Sequence, residues 1–175
     1  MFICQNKEVN IINKVTIYTD GASKGNPGPG GYGVVLLYTD DRGITHTKEL
    51  SQGYKKTTNN RMEVLAAIRG LEALNKPSVV DLYSDSSYLV NAFKKHWLDN
   101  WKRNNWRSSS GGEIKNQDMW KVLAKLTEIH DVTFHWVKGH DGIEYNERCD
   151  QLAVEAALSK DLLKDTPVKL MCSME

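Results

Sequence analysis

Four acidic residues stand where side-chain oxygens could do chemistry: Asp20, Glu63, Asp85 and Asp150. Asp20 closes the run Val15–Thr19 and Asp85 directly follows Val79–Ser84. Both runs are rich in β-branched and aromatic residues and read as strands. As parallel neighbours they would release both carboxylates at one C-terminal sheet edge, where α/β folds take ligands. Glu63 and Asp150 sit in helical patterns. Three, four and seven residues beyond Glu63 stand Ala66, Ala67 and Gly70; beyond Asp150 stand Ala153, Val154 and Ala157. Residues at those offsets share a face, and a charge on a core-facing side is costly unless paired or bound to a cation. Singly, each acid has an ordinary structural use in a turn, a cap or a helix start. Together they would repel, by about 4 kcal/mol for unit charges about 4 Å apart at an effective dielectric near 20. Such a cluster holds protons or cations. All-oxygen donors select hard ions, magnesium first and manganese next. Two such ions about 3.5–4 Å apart can activate a water and stabilise the leaving oxygen of an in-line phosphoryl displacement.

The elements that must position these acids follow from periodicity. Strands are expected over Val15–Asp20, Tyr32–Tyr38 and Ile44–Tyr54, with a glycine- and proline-rich loop at Gly21–Gly31 and a turn at Asp40–Gly43. Short connections favour an antiparallel meander. Val64, Leu65, Ile68, Leu71 and Leu74 then recur at helical spacing, predicting a helix over Asn60–Leu74 that Thr58 or Asn59 can cap. A fourth strand at Val79–Ser84 follows, then helices at Ser86–Lys95 and Asn116–Ile129, a fifth strand at Val132–Val137 and a last helix at Tyr145–Ser159. Ser86 is an equal candidate to cap the first of these. The expectation is an α/β fold: a mixed five-stranded sheet, three early strands antiparallel and the later ones parallel to the first, with helices on both faces. Residues 1–13 read as a short extension, 14–159 as one domain and 160–175 as a tail.

Bulk properties narrow the class. A net charge of +1 gives no global sign of a polyanionic partner, so any such signal must be local. Residues 94–107 supply it: Lys94, Lys95, Lys102, Arg103 and Arg107 against the single acid Asp99, with Trp97, Trp101 and Trp106 interleaved. Tryptophans at spacing four pack more often than they stack on bases. No apolar run approaches a membrane span, and Met1–Lys7 lacks a secretory apolar core. Cys4, Cys149 and Cys172 are far apart with no paired spacing, which suggests neither a disulfide scaffold nor a zinc site and favours a reducing cytoplasm.

Thr19–Gly33, Thr57–Glu63, Tyr83–Ser86 and Trp136–His140 followed by Asn146–Asp150 together resemble the motifs of bacterial type 1 ribonuclease H, in order and over roughly residues 14–158. That resemblance implies a ribonuclease H-like fold and an endonuclease that hydrolyses the RNA strand of RNA–DNA hybrids, leaving 3′-hydroxyl and 5′-phosphate ends. It implies that Asp20, Glu63, Asp85 and Asp150 bind two Mg2+ ions, with Mn2+ as a substitute and no organic cofactor. Asp20 would bridge both ions, Glu63 and Asp85 would hold one, and Asp150 would help hold the other. It assigns His140, on the glycine-flanked loop Lys138–Gly142, to proton transfer or product departure, a role an imidazole suits.

The resemblance also implies how the hybrid is read. Asn26, Asn59 and Asn60 are similar to positions that contact its minor groove, where an amide can both donate to and accept from a 2′-hydroxyl. Thr58 and Asn116 match a DNA phosphate pocket. Residues 94–115 match a basic handle that follows the DNA backbone; its tryptophans partly build it, and Trp97, Trp101, Lys102 and Arg103 are its expected substrate-binding residues, in contacts that position without reading sequence. A monomer is the default expectation. The alternatives are another nuclease or strand-transfer enzyme of the same fold, or a non-catalytic hybrid-binding module.

Overall fold

The computed structural model describes residues 13–170. Most of the expected N-terminal extension and the end of the expected tail, with Cys4 and Cys172, lie outside the described residues. The elements run β1 (Lys14–Ser23), β2 (Gly28–Thr39), β3 (Thr45–Thr57), α1 (Asn59–Glu72), β4 (Val79–Ser84), α2 (Ser87–Lys94), α3 (Trp97–Arg103), α4 (Gln117–Ile129), β5 (Asp131–Trp136), α5 (Glu144–Leu158) and β6 (Leu162–Leu163). The sheet order is β5-β4-β1-β2-β3-β6. β1, β2 and β3 form the antiparallel meander. β4 pairs parallel to β1, and β5 parallel to β4.

Three details differ from the sequence reading. The sheet has a sixth strand: β6 pairs parallel to β3 within the segment expected as a tail, where two leucines are too few for a periodic signal. The glycine-rich stretch is mostly strand, because cross-strand pairing runs out to Ser23↔Gly30 and leaves only a short turn. The basic, tryptophan-rich segment contains the helix α3, which its polar composition hid.

Alternation along β2 separates the layers. Val34 faces α1, where it and Ile17 flank Gly70, while Gly31 faces α5 beside Ala153 and Ala156. The main core lies on the α1 side, built around Ile17, Leu65, Ile68, Leu82, Leu89, Trp120 and Leu123. Helix starts carry the expected chemistry. Thr58 caps α1, its hydroxyl oxygen accepting the Arg61 N–H, and Ser86 caps α2 by accepting from Leu89. α1 also sits unusually close to the sheet. A Cβ added to Gly21 would lie 2.5 Å from the Glu63 nitrogen and the Met62 carbonyl carbon, backbone atoms that cannot swing away.

Gly21→Ala is therefore expected to push α1 off β1, destabilising the fold by about 1–3 kcal/mol. Thermal unfolding of the variant would show the loss; an unchanged midpoint would mean the close approach is slack.

Candidate active site

Parallel pairing of β1 with β4 sets Thr19 opposite Ser84. Asp20 and Asp85 are the next residues: Asp20 still pairs with Gly33 of β2 and Asp85 follows the last residue of β4, so both carboxylates stand at the same end of this strand pair. Glu63, in the second turn of α1, comes in from the helix layer through the close approach at Gly21. Asp20, Glu63 and Asp85 each offer an oxygen within 4.8 Å of the others. Asp150, on α5, is not one of that tight trio but lines the same cleft. The cleft encloses about 360 Å³, and Ser23, Asn59, Asn60, Ser86 and His140 contribute to its walls. Asp150 shares its helix face with the buried Ala153 and Ala157, whereas Val154 is 39% exposed and turns away.

The electrostatics match the crowding. Burial, then the neighbouring Asp85, pushes the Asp20 carboxyl from its ordinary 3.8 up to about 7, although the Gly21 N–H donates to its Oδ1. Burial, then Asp20 and Asp85, holds Glu63 well above the usual carboxylate range. Asp85 is raised by burial and Asp150, against the opposing pull of His140. Glu63 Oε2 is buried with no hydrogen-bond partner. An acceptor that is neither hydrated nor paired is expensive, and a cation among these oxygens would satisfy it. The donor set is all carboxylate, which fits a hard divalent ion.

The remaining predicted residues fall into three groups. Asn59 and Asn60 line the cleft. Asn26 stands behind them: its Oδ1 accepts the Asn59 N–H at 3.0 Å, while Asn59 Oδ1 accepts from the Ser23 N–H at 2.7 Å. Thr58 and Asn116 come together through Arg61, whose Nη1 donates to Asn116 Oδ1 at 3.4 Å. Asn116 itself precedes α4 in a left-handed conformation rather than opening the helix. Trp97 and Trp101 pack, partly buried, against the core, and Trp101 lies 5.6 Å from Trp120. Lys102 and Arg103 end α3 on the surface, Lys102 3.5 Å from Glu128. None of these last four lines the acidic cleft.

His140 lies on an exposed loop with φ of 55°. That loop touches the site through Gly139, which sequence reasoning passed over: a Cβ there would be 2.7 Å from Asp85 Oδ2. The glycine lets the loop back directly onto the carboxylate. Its only signal in sequence was its place beside His140.

The RNase H family model matches residues 12–158. The chain belongs to the RNase H family. Ribonuclease H of Lachnoclostridium phytofermentans is 59% identical over 157 residues, 89% of this chain and 99% of the relative. Ribonuclease HI of Synechocystis is 52% identical over 153 residues, 87% of this chain and 93% of the relative. Among solved structures, LC11-RNase H1 in complex with an RNA/DNA hybrid aligns with a TM-score of 0.59 at 30% identity, covering 83% of this chain and 99% of that one.

The raised carboxyls fix the sign of a pH effect. Asp20 binds its proton more tightly folded than unfolded, so the stabilisation is complete below about pH 4 and is lost as pH rises toward about 7. Measured against metal-free Asp20→Asn, whose amide does not titrate, the metal-free protein should lose melting temperature across that window, and added Mg2+ at pH 8 should restore it. A difference between the two midpoints that stays constant over the range would contradict the crowded-carboxylate geometry.

Proposed function

We propose that this chain hydrolyses the RNA strand of RNA–DNA hybrids using two magnesium ions, with manganese as a substitute. The observation that carries the reading is the convergence of four carboxylates, from β1, α1, the residue after β4 and α5, on one cleft walled by Asn59 and Asn60. Asp20, Glu63 and Asp85 would hold one ion, and Asp20 with Asp150 the other. Bound there, such ions supply charge neutralisation and Lewis acidity for in-line attack of water on a phosphodiester. Asn59 and Asn60, with Asn26 ordering Asn59 from behind, present amides to the 2′-hydroxyls that distinguish RNA from DNA. His140, which lines the cleft, would move a proton as the 3′ oxygen departs. Thr58 and Asn116 take a DNA-strand phosphate. Lys102 and Arg103, raised by the packed Trp97 and Trp101, follow that strand further out. The catalytic unit is taken as residues 14–159, acting as a monomer in the cytoplasm. Among the described residues no helix is long and apolar enough to cross a membrane.

Cleavage of hybrid, duplex DNA and duplex RNA, with and without chelator, tests the reading directly. Asp20→Asn should cut the hybrid at less than about a thousandth of the normal rate while still binding it in a mobility-shift assay. Normal cleavage by this variant would remove the acidic cleft from the chemistry. Replacing Lys102 and Arg103 together by alanine should lower the slope of log affinity against log salt by about one to two. An identical slope would take the handle out of the interface.

A further inference from the structure

Arg61 stands beside Thr58 and Asn116, and its guanidinium is spent on the protein. The group has five N–H donors in a rigid fork. Nε donates to Asp165 Oδ2 at 2.8 Å and Nη2 to Asp165 Oδ1 at 3.1 Å. Nη1 and Nη2 each reach an Asp118 oxygen at 3.0 Å. Nη1 also donates to Asn116 Oδ1 at 3.4 Å. Every donor has an acceptor in the chain. One arginine with two aspartates leaves the group negative, so it does not attract a phosphate either. The side chains are largely covered, Arg61 18% and Asp165 9% exposed, so solvent does little to loosen them.

What the saturated arginine does is hold its neighbours. The Arg61 backbone N–H donates to Thr58 Oγ1, which leaves the Thr58 hydroxyl its own proton to give. The Asn116 Oδ1 is held by Arg61, and its Nδ2 gives one hydrogen to the Tyr88 hydroxyl at 3.1 Å, keeping a second. Both remaining hydrogens are donors of the type that positions nucleic-acid phosphates. Arg61 thus ties the start of α1 to the residue before α4.

Its own anchor comes from the far end of the chain. Asp165 Oδ2 also accepts from the Thr57 hydroxyl at 2.7 Å. Asp118 Oδ2 accepts the Val168 N–H at 3.0 Å, and Gln52 Nε2 donates to the Asp161 carbonyl at 3.0 Å. With β6 zipped to β3, the segment Asp161–Val168 is fastened to β3, α1 and α4 at once.

We propose that Asp165, acting through Arg61, is a positioning residue for the capture of a DNA-strand phosphate by Thr58 and Asn116, so that the C-terminal segment belongs to the substrate-binding machinery. The proposal rests on the hybrid reading above. Loss of hybrid cleavage by the unaltered enzyme would defeat that reading; the tests that follow concern the anchor alone.

Steady-state kinetics on a defined hybrid, run well below the melting temperature, should give Asp165→Asn a KM raised about tenfold with kcat within about twofold, the size of one lost charged hydrogen bond. Asp165→Glu, which restores the charge, should recover part of the loss. Equal losses in kcat and KM, or an unchanged KM, overturn the proposal. A lowered KM does so too, because it would mean that a freed Arg61 binds phosphate itself. If Asp165→Asn does not fold at the assay temperature, Thr57→Val decides the matter: a KM rise of about two- to threefold is expected, and no rise counts against the proposal. Hybrids carrying one methylphosphonate linkage, walked along the DNA strand, give the independent readout. One linkage should penalise the unaltered enzyme and be indifferent to Asp165→Asn; a penalty of undiminished size in the variant refutes the positioning role.

Discussion

Mutual repulsion among Asp20, Glu63 and Asp85 is the interaction around which the rest of the molecule is arranged. Their oxygens lie within 4.8 Å of one another, and burial is the first cause of the upward shift of each carboxyl. Left to themselves the three would separate or take up protons. They are held by backbone that has no freedom to yield: two paired parallel strands and a helix seated on Gly21. The core on the α1 side supplies the stability that this arrangement costs. The result is a set of oxygen donors placed before any ion arrives, which is what electrostatic preorganisation requires.

Polar contacts at element ends do the fine positioning. Asn26, Ser23 and Asn59 lock the β1–β2 turn to the start of α1. Arg61 locks the start of α1 to the start of α4 and to the C-terminal segment. The first lock forms part of the cleft wall through Ser23 and Asn59, and the Arg61 lock sits beside the cleft. Helix starts offer donors and strand ends offer freed side chains, so a fold that gathers them on one edge gathers binding groups with them.

The handle shows how packing and binding divide one short segment. Trp101 packs on Trp120, and Trp97 lies 6.3 Å from Trp101. These rings hold α3 against the body of the protein and leave its lysine and arginine end in solvent. Aromatic residues here build the arm; the cations it carries face outward.

Sequence alone determined the types and order of the main elements, because buried strands and helices print their period on apolar residues. It also marked all four carboxylates by their places at strand ends or beside small residues on a helix face, each position ordinary alone and costly only where the four converge. Through the motif resemblance it pointed to Asn59, Asn60 and His140 as well. Tertiary structure alone decided that Asp20, Glu63 and Asp85 form a tight trio with Asp150 set apart, since that depends on strand register and on how closely α1 approaches. It decided that the glycine-rich stretch is strand, because cross-strand pairing overrides local preference there. The contact of Gly139 with Asp85 and the parts played by Asp118 and Asp165 were invisible for the same reason: a close approach by a glycine and an aspartate meeting an arginine 104 residues away leave no local pattern. Periodicity records what each segment buries, whereas distant contacts are set only once the chain has closed on itself.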